Sequence, residues 1–215
     1  MIGRMTTWMF AGSLVLLAGC GRKVPPLDTG RHDVTTAPVP NDVMTRLNEA
    51  GWKQRVTKGT GIWVSVAKQV LFVIDGDQCV AQYPCSTAAK GTGNRERSYQ
   101  TPLGWHAIDE KIGDGHPWGA VFKERKPTGR AWKPGQPPGD DMVLTRILWL
   151  RGLEPGVNAG PGIDSHDRFI YIHGTPEEDK LGTPASRGCV RLSNTDVIGL
   201  FDRVPSGTPV LITEW

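Results

Sequence analysis

The chain has 215 residues, a formal net charge of +3, and 27 glycines with 17 prolines. That length allows one compact domain with appendages, and so much Gly and Pro without a sustained helical period excludes a helix bundle in favour of a turn-rich, mainly β protein. Charges of both signs are interspersed without a basic run, so nucleic acid is not an expected partner.

The amino-terminal twenty residues read as a processing signal. Arg4 supplies a short positive segment, and Trp8 to Ala18 is an apolar run of signal-peptide length. It is too short to cross a bilayer as a stable helix. The run ends in Leu17-Ala18-Gly19-Cys20, which resembles the lipobox of bacterial lipoproteins. The resemblance implies cleavage before Cys20, diacylation of its sulfur and acylation of the new amino terminus. Three acyl chains would hold the protein on a membrane, where one alone binds only marginally. Gly21 and Arg22 leave no acidic residue behind the cysteine, which points to the outer membrane. The expected organisation is a signal peptide over 1–19, lipidated Cys20 with a Pro-rich tether and a possible short helix over 20–60, and a folded domain over 61–215. The protein would be lipid-anchored in the cell envelope, facing the periplasm.

Along the tether, Asn41 to Gly51 permits a short helix with Val43, Met44 and Leu47 on one face and Gly51 as its stop. Strands follow from about Gly61. Asp75-Gly76 is the turn of a hairpin, since Asp-Gly tolerates the positive φ that two-residue loops need. Cys79 and Cys85 fall in one predicted strand, six residues and so roughly 20 Å apart, beyond disulfide reach. Both read as small buried residues. A Gly-rich loop leads into a strand near His106 to Lys111, Gly129 to Asp141 reads as a long surface loop, and Asp141 to Leu150 as a strand of largely alternating pattern. A further strand covers Arg168 to Gly174. Ser193 or Asn194 caps a helix with Val197, Leu200 and Phe201 on its apolar face, Pro205 stops it, and Thr208 to Trp215 closes the chain as a strand. The fold class is mainly β, with one or two short helices.

One histidine and one cysteine stand out, His173 and Cys189, sixteen positions apart. Alternation sends Ile170 and Ile172 toward the core and Phe169, Tyr171 and His173 to the opposite face. Gly188 before Cys189 allows close backbone approach and amide groups aimed at a developing oxyanion. Arg187 and Arg191 flank the sulfur, and nearby cationic charge favours the reactive thiolate. Taken singly, however, a lone cysteine is more often buried and inert, and a lone histidine more often a satisfied loop residue. Three of the other histidines, His106, His116 and His166, lack zinc-site spacing, and neither a metal nor a cofactor is expected. Gly91 to Glu96 is a turn-rich loop rather than a phosphate cradle, and Trp118, Trp132 and Trp149 read as packing residues.

Ile172-His173-Gly174-Thr175, then Gly182 through Ser186-Arg187-Gly188-Cys189-Val190-Arg191-Leu192, resembles the signature of the YkuD-type L,D-transpeptidase catalytic domain. The segments Val64–Gly76, Tyr83–Glu96, Ser98–Ile108 and Asp196–Ile212 resemble family segments in the same order, so the likeness covers roughly residues 61–213. It implies a β-sandwich-like barrel carrying the cysteine in a surface cleft. It assigns Cys189 as nucleophile, His173 as general base, the Gly174 carbonyl as the group orienting the imidazole, and the amides around Gly188 and Cys189 as the oxyanion site. Arg191, Arg187, Tyr171 and Ser186 are the expected substrate contacts. At 187 many members have histidine, and the arginine here could supply charge instead. The implied reaction is acyl transfer on peptidoglycan stem peptides: a Cys thioester at meso-diaminopimelate, release of D-Ala, then transfer to an amine. The amine would belong to another stem or to a lysine of a wall-linked protein. Water as acceptor would make the enzyme an L,D-carboxypeptidase. A non-catalytic wall-binding lipoprotein is the remaining reading, against which the intact Cys189 and His173 argue.

Overall fold

Two apolar runs, Ile62-Trp63-Val64 and Leu71-Phe72-Val73-Ile74, are too continuous for a sheet with one wet face; such runs belong to strands covered on both sides. In the computed structural model, which describes residues 36–57 and 59–215, both faces are covered. The expected signal peptide, Cys20 and the first part of the tether lie outside the described residues.

In chain order the elements are β1 (Ala37–Pro38), α1 (Asn41–Glu49), α2 (Trp52–Arg55), β2 (Thr60–Ser65), β3 (Val70–Asp75), β4 (Gln78–Pro84), β5 (Gly104–Ile112), β6 (Ala120–Lys123), β7 (Lys126–Ala131), β8 (Val143–Gly152), β9 (Tyr171–Gly174), β10 (Val190–Leu192), α3 (Asn194–Arg203) and β11 (Pro209–Thr213). They form one mixed sheet in the order β1-β4-β3-β2-β11-β5-β8-β6-β7, with β9 branching from β8 and β10 from β9. Pairing is antiparallel except for β11 with β2 and β10 with β9. The mainly β class expected from the sequence holds, and the four-residue α2 is a helix that the pattern did not announce. None of the described helices is long and apolar enough to cross a membrane.

Alternation along β2 and β3 divides the core. Ile62, Val64, Leu71 and Val73 join Val197, Leu200 and Phe201 of α3 on one face. Ser193 caps that helix, its hydroxyl accepting the Asp196 N–H at 3.0 Å. On the other face Trp63, Phe72 and Ile74 meet Leu47 and Trp52. The Trp63 and Phe72 rings stack at 4.7 Å, and Trp105 donates its indole N–H to the Ala50 carbonyl at 2.7 Å. The sequence left open whether residues 41–60 belong to the tether or pack on the domain; residues 37–56 pack on the sheet. Leu47→Ala is expected to cost about 2–5 kcal/mol, the usual penalty for emptying a fully buried leucine site, read as a shifted denaturant midpoint. A change under about 0.5 kcal/mol, typical of surface positions, would return α1 to the tether.

Three other local expectations need correction. Gly129–Ala131 ends strand β7 instead of opening a loop. The turn before it, Glu124-Arg125, has φ of 49° and 66° without a glycine, so nothing in its composition signalled a hairpin. Strand β8 does not alternate: Leu144 to Leu150 are all buried, and a bulge falls where Thr145 takes φ of 69°. Strand β9 starts at Tyr171, because Phe169 turns the chain with φ of 56°.

Candidate active site

Strands β9 and β10 run parallel, with Val190 beside Ile172, Arg191 beside His173 and Leu192 beside Gly174. Side chains at paired positions share a face. Ile172, Val190 and Leu192 enter the α3-facing core together with Ile170. Tyr171, His173, Cys189 and Arg191 are thereby assigned to the other face, where Cys189 packs against a cluster that includes Phe122, Trp149 and Tyr171.

Cys189 is half-buried. Its sulfur receives the Tyr171 N–H at 3.3 Å and points its own hydrogen at the Phe169 carbonyl, 3.4 Å away. The turn before it requires glycine. Gly188 has φ of +128°, and a Cβ there would lie 3.3 Å from the Gln100 carbonyl oxygen. Ser186 knits this turn: its hydroxyl donates to the Cys189 carbonyl at 2.6 Å and accepts the Gly188 N–H at 3.2 Å. The two amides expected around the oxyanion differ as a result: that of Gly188 is already used inside the turn, whereas that of Cys189 donates to no described residue. Ser186, 2% exposed, holds the cysteine backbone instead of facing a cleft.

His173 is 1% exposed. Its Nδ1 lies 2.8 Å from the Gly174 carbonyl oxygen. A carbonyl only accepts, so Nδ1 carries the hydrogen and Nε2 keeps a lone pair. No described residue bonds that Nε2. Gly174 itself is dictated by packing, since a Cβ there would lie 2.5 Å from Asn194 Oδ1. Burial pushes His173 down to about 4, aided by Arg191 and opposed by the Gly174 carbonyl and Asp141. His106 is equally buried and lowered to about 4, but its two nitrogens meet Gly104 O and Ser165 Oγ at 3.0 and 2.9 Å. It is a satisfied core histidine, and His173 is the one with a nitrogen to spare.

The electropositive setting of the sulfur is present and comes from Arg191, which was expected, and from Arg168, which was not. Arg191 is 3% exposed, 2.8 Å from Glu177 and paired again with Asp141. Arg187 projects into solvent and binds Asp140. Both guanidiniums are neutralised by carboxylates, so neither is free to receive a substrate carboxylate. Arg168 has no carboxylate partner among the described residues; it bonds the Gly93 and Gln100 carbonyls at 3.1 and 2.7 Å. A thiolate at Cys189 would favour its charge, and it would favour the thiolate. Even so, burial prevails over the opposing Tyr171 amide and holds the Cys189 thiol up at about 12. The resting pair is therefore a neutral thiol and a neutral imidazole. The one described grouping that could offer three ligand atoms to a cation, Asp109, Glu110 and His166, has Asp109 already held by Arg151 at 3.1 Å. It includes neither Cys189 nor His173.

A mixed β-sheet with a thiol, a glycine-tight turn and a buried histidine on one face of two parallel strands defines the class: a fold carrying a candidate cysteine-nucleophile centre. The particular family follows from comparison. The family profile described as YkuD, L,D-transpeptidase catalytic domain, matches residues 59–212, and the chain belongs to that family. It is 47% identical over 158 residues to a probable L,D-transpeptidase of Escherichia coli (strain K12), ErfK/SrfK, covering 72% of this chain and 44% of the relative. The counterpart in Salmonella typhimurium (strain LT2) is 30% identical over the same coverage. The chain thus spans less than half the length of these curated relatives. Among solved structures, an L,D-transpeptidase from Xylanimonas cellulosilytica aligns with 72% of this chain and 60% of its own, at TM-score 0.47 and 21% identity.

Proposed function

We propose that the protein is a cysteine L,D-transpeptidase acting on peptidoglycan stem peptides. The Cys189 sulfur attacks the carbonyl that joins the L-centre of meso-diaminopimelate to the terminal D-Ala, and its proton passes to His173 Nε2. The unbonded Cys189 amide is the donor best suited to the developing oxyanion. As the tetrahedral intermediate collapses, the imidazolium returns that proton to the departing D-Ala amine, leaving a thioester. An acceptor amine then attacks, gives its proton to His173, and the cysteine regains one when the new amide forms. Splitting one hard step into two easier ones is the gain from covalent catalysis.

The observation that carries this reading is the hydrogen bond from His173 Nδ1 to Gly174, which leaves Nε2 as a base on the strand paired with β10, the strand that Cys189 directly precedes. Membership of the L,D-transpeptidase family supports the substrate class. Anchoring to a membrane of the envelope through Cys20, with the domain facing the periplasm, is supported by the lipobox-like Leu17 to Cys20. The test is incubation of the full-length chain with tetrapeptide muropeptides, with and without an added amine. D-Ala release with amine-dependent crosslinks or exchange is the expected result. Release with tripeptide as the sole product would assign water as acceptor, and no release would refute the assignment.

A further inference from the structure

The turn joining β6 and β7 sets a cation on the aromatic cluster that Cys189 packs against. Arg125 projects its guanidinium 4.7 Å from the ring centroids of both Trp149 and Phe169. Of the five N–H donors it carries, the one bonded among the described residues reaches the Tyr171 hydroxyl at 3.1 Å. No described carboxylate pairs with it, in contrast to Arg187 and Arg191. The seat is made at some conformational expense. Glu124 and Arg125 both adopt the left-handed turn geometry that hairpins usually give to Asn-Gly. Phe169 does so as well while remaining 50% exposed. Non-glycine residues held in such regions cluster at functional sites.

The seat and the nucleophile share backbone. Phe169, whose ring flanks Arg125, gives its carbonyl to the Cys189 thiol, and Tyr171, whose hydroxyl receives Arg125, gives its amide to the sulfur. A planar guanidinium stacked against rings keeps its edge donors for a bidentate acceptor. From this we infer that Arg125, with Trp149, Phe169 and Tyr171, forms a carboxylate-binding subsite that positions an acidic peptide substrate at Cys189 and selects for its free carboxylate. The inference rests on the transpeptidase reading and concerns the two of the donor stem's three free carboxylates that lie on the residues joined by the reacting bond, that of the terminal D-Ala and that on the D-centre of diaminopimelate.

The experiment measures binding of three peptides to the full-length Cys189→Ala chain: the tetrapeptide, its C-terminal amide, and the tetrapeptide amidated on the D-centre carboxyl of diaminopimelate. Adding Arg125→Gln is expected to raise Kd for the free acid about tenfold or more, the scale of a lost charge-assisted bidentate contact. It should leave unchanged the Kd of whichever amide already lacks that contact, and this identifies the carboxylate. Arg125→Lys, with charge but no fork, should fall between. Equal effects on all three peptides, or none, would overturn the inference. D-Ala release by the Cys189-intact chain is followed in parallel. Release without any Arg125-dependent preference sinks the subsite alone, whereas preference in binding with no release sinks the transpeptidase reading.

Discussion

His173→Gln is expected to lower acyl transfer roughly 10²–10⁴-fold, the range usually lost with a positioned general base, while leaving the fold intact. Glutamine can still donate to the Gly174 carbonyl, so the hydrogen bond that anchors the ring is replaced and the lone pair at Nε2 is what disappears. The wild-type pH profile carries the same logic with a definite sign. Burial depresses His173 to about 4, so its Nε2 stays unprotonated through the neutral range and down to mildly acidic pH. Activity should hold below the ordinary histidine pKa near 6.5 and fall only as pH approaches about 4. An acid limb near 6.5 that vanishes in His173→Gln would mean a histidine far more exposed than the one seen.

The second large effect concerns the resting thiol. Burial holds Cys189 up at about 12 despite Arg168 and Arg191. At pH 7.5 its thiolate fraction should be roughly 10³-fold below that of an exposed cysteine of pKa near 8.5. Iodoacetamide labelling, read at the Cys189 peptide by mass spectrometry, should therefore be slower by about that factor and still rising at pH 9. Rapid labelling at neutral pH with an acidic midpoint would instead indicate a preformed thiolate–imidazolium pair, and His173 would then serve as an acid before it serves as a base.

Much of the site was legible in the letters. Alternation alone separated Ile170 and Ile172 from Tyr171 and His173, because successive strand side chains point to opposite faces, although both faces of β9 turn out to be buried. Gly188 was read as letting the backbone approach a substrate, whereas the neighbour the structure puts against it is the Gln100 carbonyl. What spacing could not convey was charge balance. Arg187 and Arg191 look like the electrostatic setting of the sulfur because they are two residues from it. Yet Asp140, Asp141 and Glu177, distant in sequence, neutralise them. Arg168 and Arg125 are uncompensated for the same reason, which is a property of neighbours in space. The packing of residues 37–56 was hidden by a Pro- and Thr-rich approach, although Leu47 and Trp52 were the apolar residues that could have located it.

The central claim is that Cys189 becomes acylated by a stem peptide with loss of its terminal residue. Intact-protein mass spectrometry of the full-length chain mixed with a tetrapeptide donor, without acceptor amine, tests it most directly. The expected result is an adduct equal to the peptide less D-Ala, mapped to Cys189, discharged by an added amine and absent from Cys189→Ala. An adduct that persists in Cys189→Ala, or D-Ala release with no adduct trapped on acid quenching at any time point, would contradict a thioester at this cysteine.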